Sequence, residues 1–221
     1  MNLKVLFTIL VSVLFIKCSE QEIKIIDKPI IFNQDRINLT KEYLKDRYNL
    51  DRDSINITPK IIVLHWTVIP SMIETFNAFN SPYLPNWRPE LENVSGLNVS
   101  SQFLVDQDGS IYRLMPETYM ARHVIGLNHA SIGIENVGGS EDLPLTSEQV
   151  ESNIKLIKYL KNKYSTIEYL IGHYEYKDFE DTELWLEIDT SYRTMKVDPG
   201  KIFMNSVRKE IKNMGLLGSP N

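Results

Sequence analysis

The sequence predicts an α/β fold: a single domain with one central mixed β-sheet flanked by helices. Three observations carry this reading. Two stretches, "TPKIIVLHWTVIP" at 58–70, where Ile61 to His65 are uncharged and mostly β-branched, and "IEYLIGHYEY", read as buried strands, and each runs into a histidine. Between them lies "TSEQVESNIKLIKYLKNKY", in which Val150, Ile154, Ile157 and Leu160 recur at helical spacing. "FLVDQDGSIYRL" reads as a hairpin, with Phe103 and Val105 alternating with their neighbours and Asp108-Gly109 as the turn.

The elements follow in order. At 221 residues the chain has room for one sizeable domain with appendages. Residues 1–17 read as a signal peptide, a basic Lys4 followed by a 12-residue apolar run from Val5 to Ile16 that is too short to span a bilayer. Cys18, the lone cysteine, follows directly. This junction resembles the lipobox of bacterial lipoproteins, although Lys17 stands where lipoboxes prefer a small residue. The resemblance implies lipidation of Cys18 and an exported protein anchored to the membrane in the cell envelope, at the periplasm or outer membrane. Plain secretion and an uncleaved anchor are the alternatives. A lone cysteine excludes an internal disulfide, so an exported fold rests on its core or on a metal.

Residues 18–57 read as an N-terminal tether and strap, with Thr40 placed to cap a short helix carrying Tyr43, Leu44 and Tyr48. The main domain is expected over 58–215, with a tail at 216–221. Within it "IETFNAF" reads as a helix and "NSPYLPNWRPELENVSGLN" as a surface loop. "HASIGIENVGG" reads as a short strand, and Thr146 and Gln149 have capping-box spacing. A closing helix, "KIFMNSVRKEIKNMGLL", is expected to turn Ile202, Val207 and Ile211 inward. The chain is acidic, with net charge −5, or −5 − 2 = −7 once Lys4 and Lys17 leave with the signal. With no basic run, nucleic acid is excluded as a partner.

The chemistry lies in the histidines. His65 and His173 end two strands, and strand ends are where α/β folds build sites. Asp198 precedes a Pro-Gly turn in "KVDPG". Two imidazoles and a carboxylate suit a catalytic zinc with an open position. Each histidine alone also suits a hydrogen-bonded rim residue, and no HExxH is present to decide. From the residues themselves both readings stand.

The blocks "IIVLHWT", "SSQFLVDQDGSIYRLMPETYMARHVIG", "NHASIGIENVGG", "IGHYEY" and "KVDPG", in that order, resemble the N-acetylmuramoyl-L-alanine amidases of the phage-lysozyme and peptidoglycan-recognition-protein type. The resemblance covers roughly 58–212, and the N-terminus is nearest to the lipoprotein envelope amidases. It implies one Zn2+ at one end of the sheet, held by His65, His173 and Asp198. It implies Glu135 as the catalytic acid–base and Lys196 as the catalytic lysine beside the metal. His123 matches a groove-lining histidine, and Asn128 is a further candidate for substrate binding. The implied substrate is peptidoglycan or a muropeptide, cut between N-acetylmuramic acid and L-alanine. A rival of the same fold is a non-catalytic peptidoglycan-binding module, which typically lacks the third ligand; Asp198 argues against it. Another zinc amide hydrolase with a different peptide substrate is a second rival.

Two departures stand out. His173 and Asp198 are 25 residues apart, further than in many relatives, and "KDFEDTELWLEIDTSYRT" between them is acidic. It reads either as a lid or specificity loop or as a surface excursion packed by Trp185. It also carries other carboxylates, Asp178, Glu180, Asp181 and Asp189, though none precedes Pro-Gly. Ser101 and Gln102 stand where some relatives carry a Tyr-His pair, which leaves the base role to Glu135.

Overall fold

The computed structural model describes residues 23–91 and 93–220. The expected signal peptide and Cys18 lie outside the described residues. A six-stranded mixed sheet runs in the order β1-β4-β3-β5-β2-β6. Its strands are β1 Ile25–Asp27, β2 Ile61–Trp66, β3 Phe103–Val105, β4 Ile111–Arg113, β5 Ser131–Asn136 and β6 Tyr169–Gly172. Only β3 and β4, the expected hairpin, pair antiparallel; the other four pairings are parallel.

The helices are α1 Gln34–Tyr48, α2 Met72–Asn80, α3 Ser147–Lys163 and α4 Lys201–Ile211. The capping box of α3 forms as expected, with Thr146 Oγ1 accepting from Gln149 N and Gln149 Oε1 accepting from Thr146 N. Ile157 and Leu160 are fully buried, and Val150 and Ile154 pack at the edge of the same cluster.

Alternation along the central strands divides the core. On one face Ile62 and Leu64 of β2 and Ile132 and Ile134 of β5 join Leu156 and Ile157 of α3 and Met204 and Val207 of α4. On the other, Ile61 and Val63 meet Val124, Leu127, Tyr176 and Phe179. His65 continues the odd-numbered row, so it emerges on this second face.

Three local expectations are corrected. α1 begins at Gln34 with Asn33 as its cap, and Thr40 lies inside it, donating to Arg36 O at 2.7 Å. The earlier start is explained by buried Arg36, whose guanidinium bonds the carbonyls of Ile31, Phe79, Asn80 and Ser81 and so joins α1 to the end of α2. β3 does not alternate: Leu104 is as buried as Phe103 and Val105, because a strand between β4 and β5 is covered on both faces. Ile202 points outward at 86% exposure; Phe203 and Met204 go inward with Val207 and Ile211. The described part of 18–57 is built into the domain, with β1 pairing β4 and Tyr43, Leu44 and Tyr48 in the main core. In the tail, Leu217 accepts from Leu170 N beside β6.

Candidate metal centre and active site

Three parallel strands, β5, β2 and β6, deliver the site past their C-terminal ends. β2 ends in His65 and Trp66, and Glu135 of β5 is His65's partner in register, so both side chains share a face. β6 stops at Gly172, and His173 opens a 3-10 helix, His173–Phe179. Asp198 arrives from the turn before α4. There Gly200 takes φ 86°, a left-handed conformation that suits glycine, and its N–H bonds Val197 O. Asp198 O accepts from Tyr174 N at 3.1 Å, tying the turn to the His173 segment.

The three predicted ligands converge. His65 Nδ1 lies 3.0 Å from His173 Nδ1, and Asp198 Oδ2 lies 3.3 Å and 3.0 Å from them. All three residues are buried. Tetrahedral zinc at its usual bond lengths separates ligand atoms by roughly 3.3 Å, so the triangle fits such an ion. The chemistry of the donor set agrees. Three lone-pair donors at this spacing repel one another unless protons or a cation lie among them. Burial, with His65 adding, holds His173 down to about 4, so near neutral pH its imidazole is available as a ligand. Burial opposes the charge on Asp198, but hydrogen bonding to His173 and His65 outweighs it and keeps the carboxyl below its usual range.

The surroundings orient the ligands. With Nδ1 of His65 turned to the centre, its Nε2–H points at His123 Nδ1, 3.0 Å away. An outer partner of this kind sets the tautomer of a ligating histidine. His123, the expected groove residue, lines the cavity and lies against His65. It fits because residue 133 is glycine: a Cβ there would come within 2.8 Å of the imidazole ring. Asn128, the other groove candidate, is fully buried. Its Oδ1 accepts from the N–H groups of His123 and Val124, and its Nδ2 donates to the hydroxyls of Tyr48 and Tyr43. It shapes the loop that carries His123 and is also among the residues around the cavity.

Glu135 is half-buried at the cavity wall. Burial raises its carboxyl to about 7; His65, Arg88 and Lys196 oppose that rise and Asp198 adds to it. Its Oε2 is buried with no hydrogen-bond partner among the described residues. A half-buried carboxyl poised near neutrality, beside a triad that could hold a metal, has the properties of a general base. Lys196, half-buried, lines the same cavity of about 280 Å³ as His65, His173, Asp198 and Glu135. Ser101 and Gln102 are buried and turned to the fold, Gln102 Oε1 accepting from Gly133 N and Ser101 Oγ donating to Phe103 O. Of the other carboxylates between His173 and Asp198, Glu180 pairs with Arg193 and Asp189 with Arg47.

Sequence reasoning passed over two contributors. Arg88 lines the cavity from the segment read as a plain surface loop. Asn136 and Asn153 form a buried relay, Asn153 Nδ2 donating to Asn136 Oδ1 at 2.7 Å and Asn136 Nδ2 donating to His65 O at 2.9 Å. A signal existed for the second: Gln149 and Asn153 are polar, four apart, on the apolar side of α3.

The fold and this site define an α/β domain with a buried triad of two histidines and an aspartate that could hold a metal ion. The N-acetylmuramoyl-L-alanine amidase family matches residues 55–201, and the chain belongs to that family. Among solved structures, the chain is similar to the N-acetylmuramoyl-L-alanine amidase LysC from Clostridium intestinale URNW. The identity is 24% and the TM-score 0.52, over 86% of this chain and 99% of that one. It is also similar to AmpD, at 24% identity and TM-score 0.50, over 69% and 84%. Bumblebee PGRP-SA matches at 20% identity and TM-score 0.50, over 90% and 98%. At these identities the structural likenesses speak for the fold alone. No curated protein matches the sequence.

Proposed function

We propose that this chain is a zinc-dependent amidase. It hydrolyses the amide between the lactyl group of N-acetylmuramic acid and L-alanine of the peptidoglycan stem peptide, in cell-wall turnover or remodelling. The observation that carries the reading is the triangle of His65 Nδ1, His173 Nδ1 and Asp198 Oδ2 set beside the buried, unpartnered Oε2 of Glu135. The family match supports the bond class.

A zinc ion held by the triad supplies a Lewis acid and lowers the pKa of water. The chain's own residues do the rest. Glu135, ionised, takes a proton from the water that attacks the lactyl carbonyl carbon. The Lys196 ammonium faces the oxyanion that develops there. When the carbon–nitrogen bond breaks, Glu135 returns that proton to the departing nitrogen, and the proton left on the new lactyl carboxyl passes to the amine, leaving a lactyl carboxylate and the ammonium of L-alanine.

Purified muropeptide tests this reading. Mass analysis should find a free stem peptide beginning with L-alanine, its release dependent on zinc and on Glu135. Binding without release would favour the recognition-module alternative, and cleavage at another bond would overturn the assignment.

The exported, lipid-anchored location is also proposed, from Cys18 and the apolar run before it. Among the described residues no helix is long and apolar enough to cross a membrane.

A further inference from the structure

The segment between the second and third ligands is a built wall of the cleft, and its anchor lies outside the family-matched residues. Arg47, near the end of α1 and 9% exposed, reaches 140 residues along the chain to Glu187. Its Nη2 and Nε donate to the two carboxylate oxygens at 2.6 and 3.3 Å, and the Glu187 side chain is fully buried. Such a planar two-point pair fixes orientation as well as distance. Asp189 takes a further contact from Nη2 at 3.3 Å, and Ile188 N donates to Arg47 O. The guanidinium lies 5.0 Å from the centre of the Tyr192 ring.

The wall is pinned a second time. Trp185 stacks on Tyr176 with Arg193 on it at 4.5 Å, and Leu186 N donates to Gly126 O. Gly126, at φ 78°, leaves room for the indole, which a Cβ would meet at 2.5 Å. Between these anchors and Lys196, Tyr192 and Thr194 are brought to the cavity.

We propose that Tyr192 is a substrate-contacting residue and that Arg47 is the positioning residue that holds it in the cleft. Helix α1 is thereby part of the site. This rests on the amidase reading for the identity of the ligand, a muropeptide. The reacting groups are held independently of the latch. Asp198 O is tied to Tyr174 N, and the Thr194 backbone is bonded on both sides to the Tyr176 hydroxyl. Loss of the latch therefore weakens binding more than chemistry.

The test is a double-mutant cycle in the full chain with purified muropeptide. Tyr192→Ala and Arg47→Ala should each raise KM roughly tenfold with kcat little changed, the pattern of lost uniform binding. Combined, they should cost no more than Tyr192→Ala alone, because Arg47 acts through Tyr192. Zinc content checks that each variant keeps its site. If Arg47→Ala fails to fold, Arg47→Lys, which keeps the charge and loses the two-point fork, carries the cycle. Additive effects, or an unchanged KM in Tyr192→Ala, would overturn the proposal. If the wild type binds muropeptide without cleaving it, the amidase reading fails, and the same cycle is read in the dissociation constant by calorimetry. Absence of both binding and cleavage overturns both.

Discussion

His65 of β2 and Glu135 of β5 stand opposite each other in register on neighbouring parallel strands, so an imidazole of the candidate metal triad and a half-buried carboxyl share one face of the sheet. Backbone pairing sets this relationship, which makes it rigid. Removing one side chain is therefore expected to leave the other where it is, and the two roles can be tested separately.

The metal comes first. The full chain should bind close to one zinc, and His173→Ala should lose most of it, since a three-ligand site cannot spare one. Metal analysis after dialysis decides; full retention by the variant would remove His173 from the site.

Glu135→Gln should keep its zinc and its fold and lose roughly 10²–10⁴-fold in kcat/KM, the usual worth of positioned acid–base catalysis. Lys196→Ala should cost about 10²–10³-fold, as for an oxyanion donor. The base works only when ionised. With Glu135 raised to about 7 by burial, activity at saturating metal should rise with pH through a limb at or below that value, a bound dication drawing it lower. The same acid limb in Glu135→Gln would place the base elsewhere.

His129 makes stability pH-dependent apart from the metal. Burial, aided by Arg52 and Lys60, lowers it to about 4. Because the folded value lies below the unfolded one, its contribution is complete above the usual histidine value, about 6.5. That contribution is lost as pH falls from there toward 4, where the unfolded chain binds a proton that the folded chain refuses. His129→Phe keeps a ring edge-on to Tyr48 and should flatten the stability slope across that range by about one proton in metal-loaded protein. Denaturant titrations at several pH values measure it, and an unaltered slope would contradict the assignment.

On α4 the neighbours Ile202 and Phe203 should respond oppositely. Phe203→Ala opens the main core and should cost about 3–5 kcal/mol. Ile202→Lys, at an exposed position, should change stability by about 0.5 kcal/mol or less. Thermal melts of the two variants decide; equal losses would show that Ile202 is covered in solution.

The proposed anchor is tested by fractionation. Cys18→Ser should move the protein from the membrane to the soluble envelope fraction, or leave an uncleaved precursor, with the amidase activity of the domain intact. Two acyl chains suffice for stable attachment, at about 0.8 kcal/mol per buried CH₂. Identical fractionation of wild type and variant, both processed, would mean simple secretion.

Much of this protein was determined by local sequence. Short apolar runs ending in histidine marked β2 and β6, because buried strands need unbroken hydrophobic side chains. The Thr146/Gln149 box marked the start of α3, because a helix end leaves backbone N–H groups that nearby side chains can satisfy. The resemblance of the ordered motifs to the amidase family pointed to His65, His173, Asp198, Glu135 and Lys196 together, where the residues alone left two readings open. Tertiary structure decided what depends on contacts between distant residues. Periodicity could not choose between Ile202 and Phe203, since one step along a helix turns by about 100° and only the packed neighbour shows which side is inside. Arg36 and Arg47 look like ordinary surface cations in a polar helix, yet each is buried because its partners arrive from elsewhere in the chain: the end of α2 for Arg36, Glu187 for Arg47. His123 became a support for His65 only when Gly133 let its ring lie against β5. Hydrophobic pattern and capping are written within a few residues; the partners of these buried charges lie far along the chain, 43–45 residues from Arg36 and 140 from Arg47, and only folding brings them together.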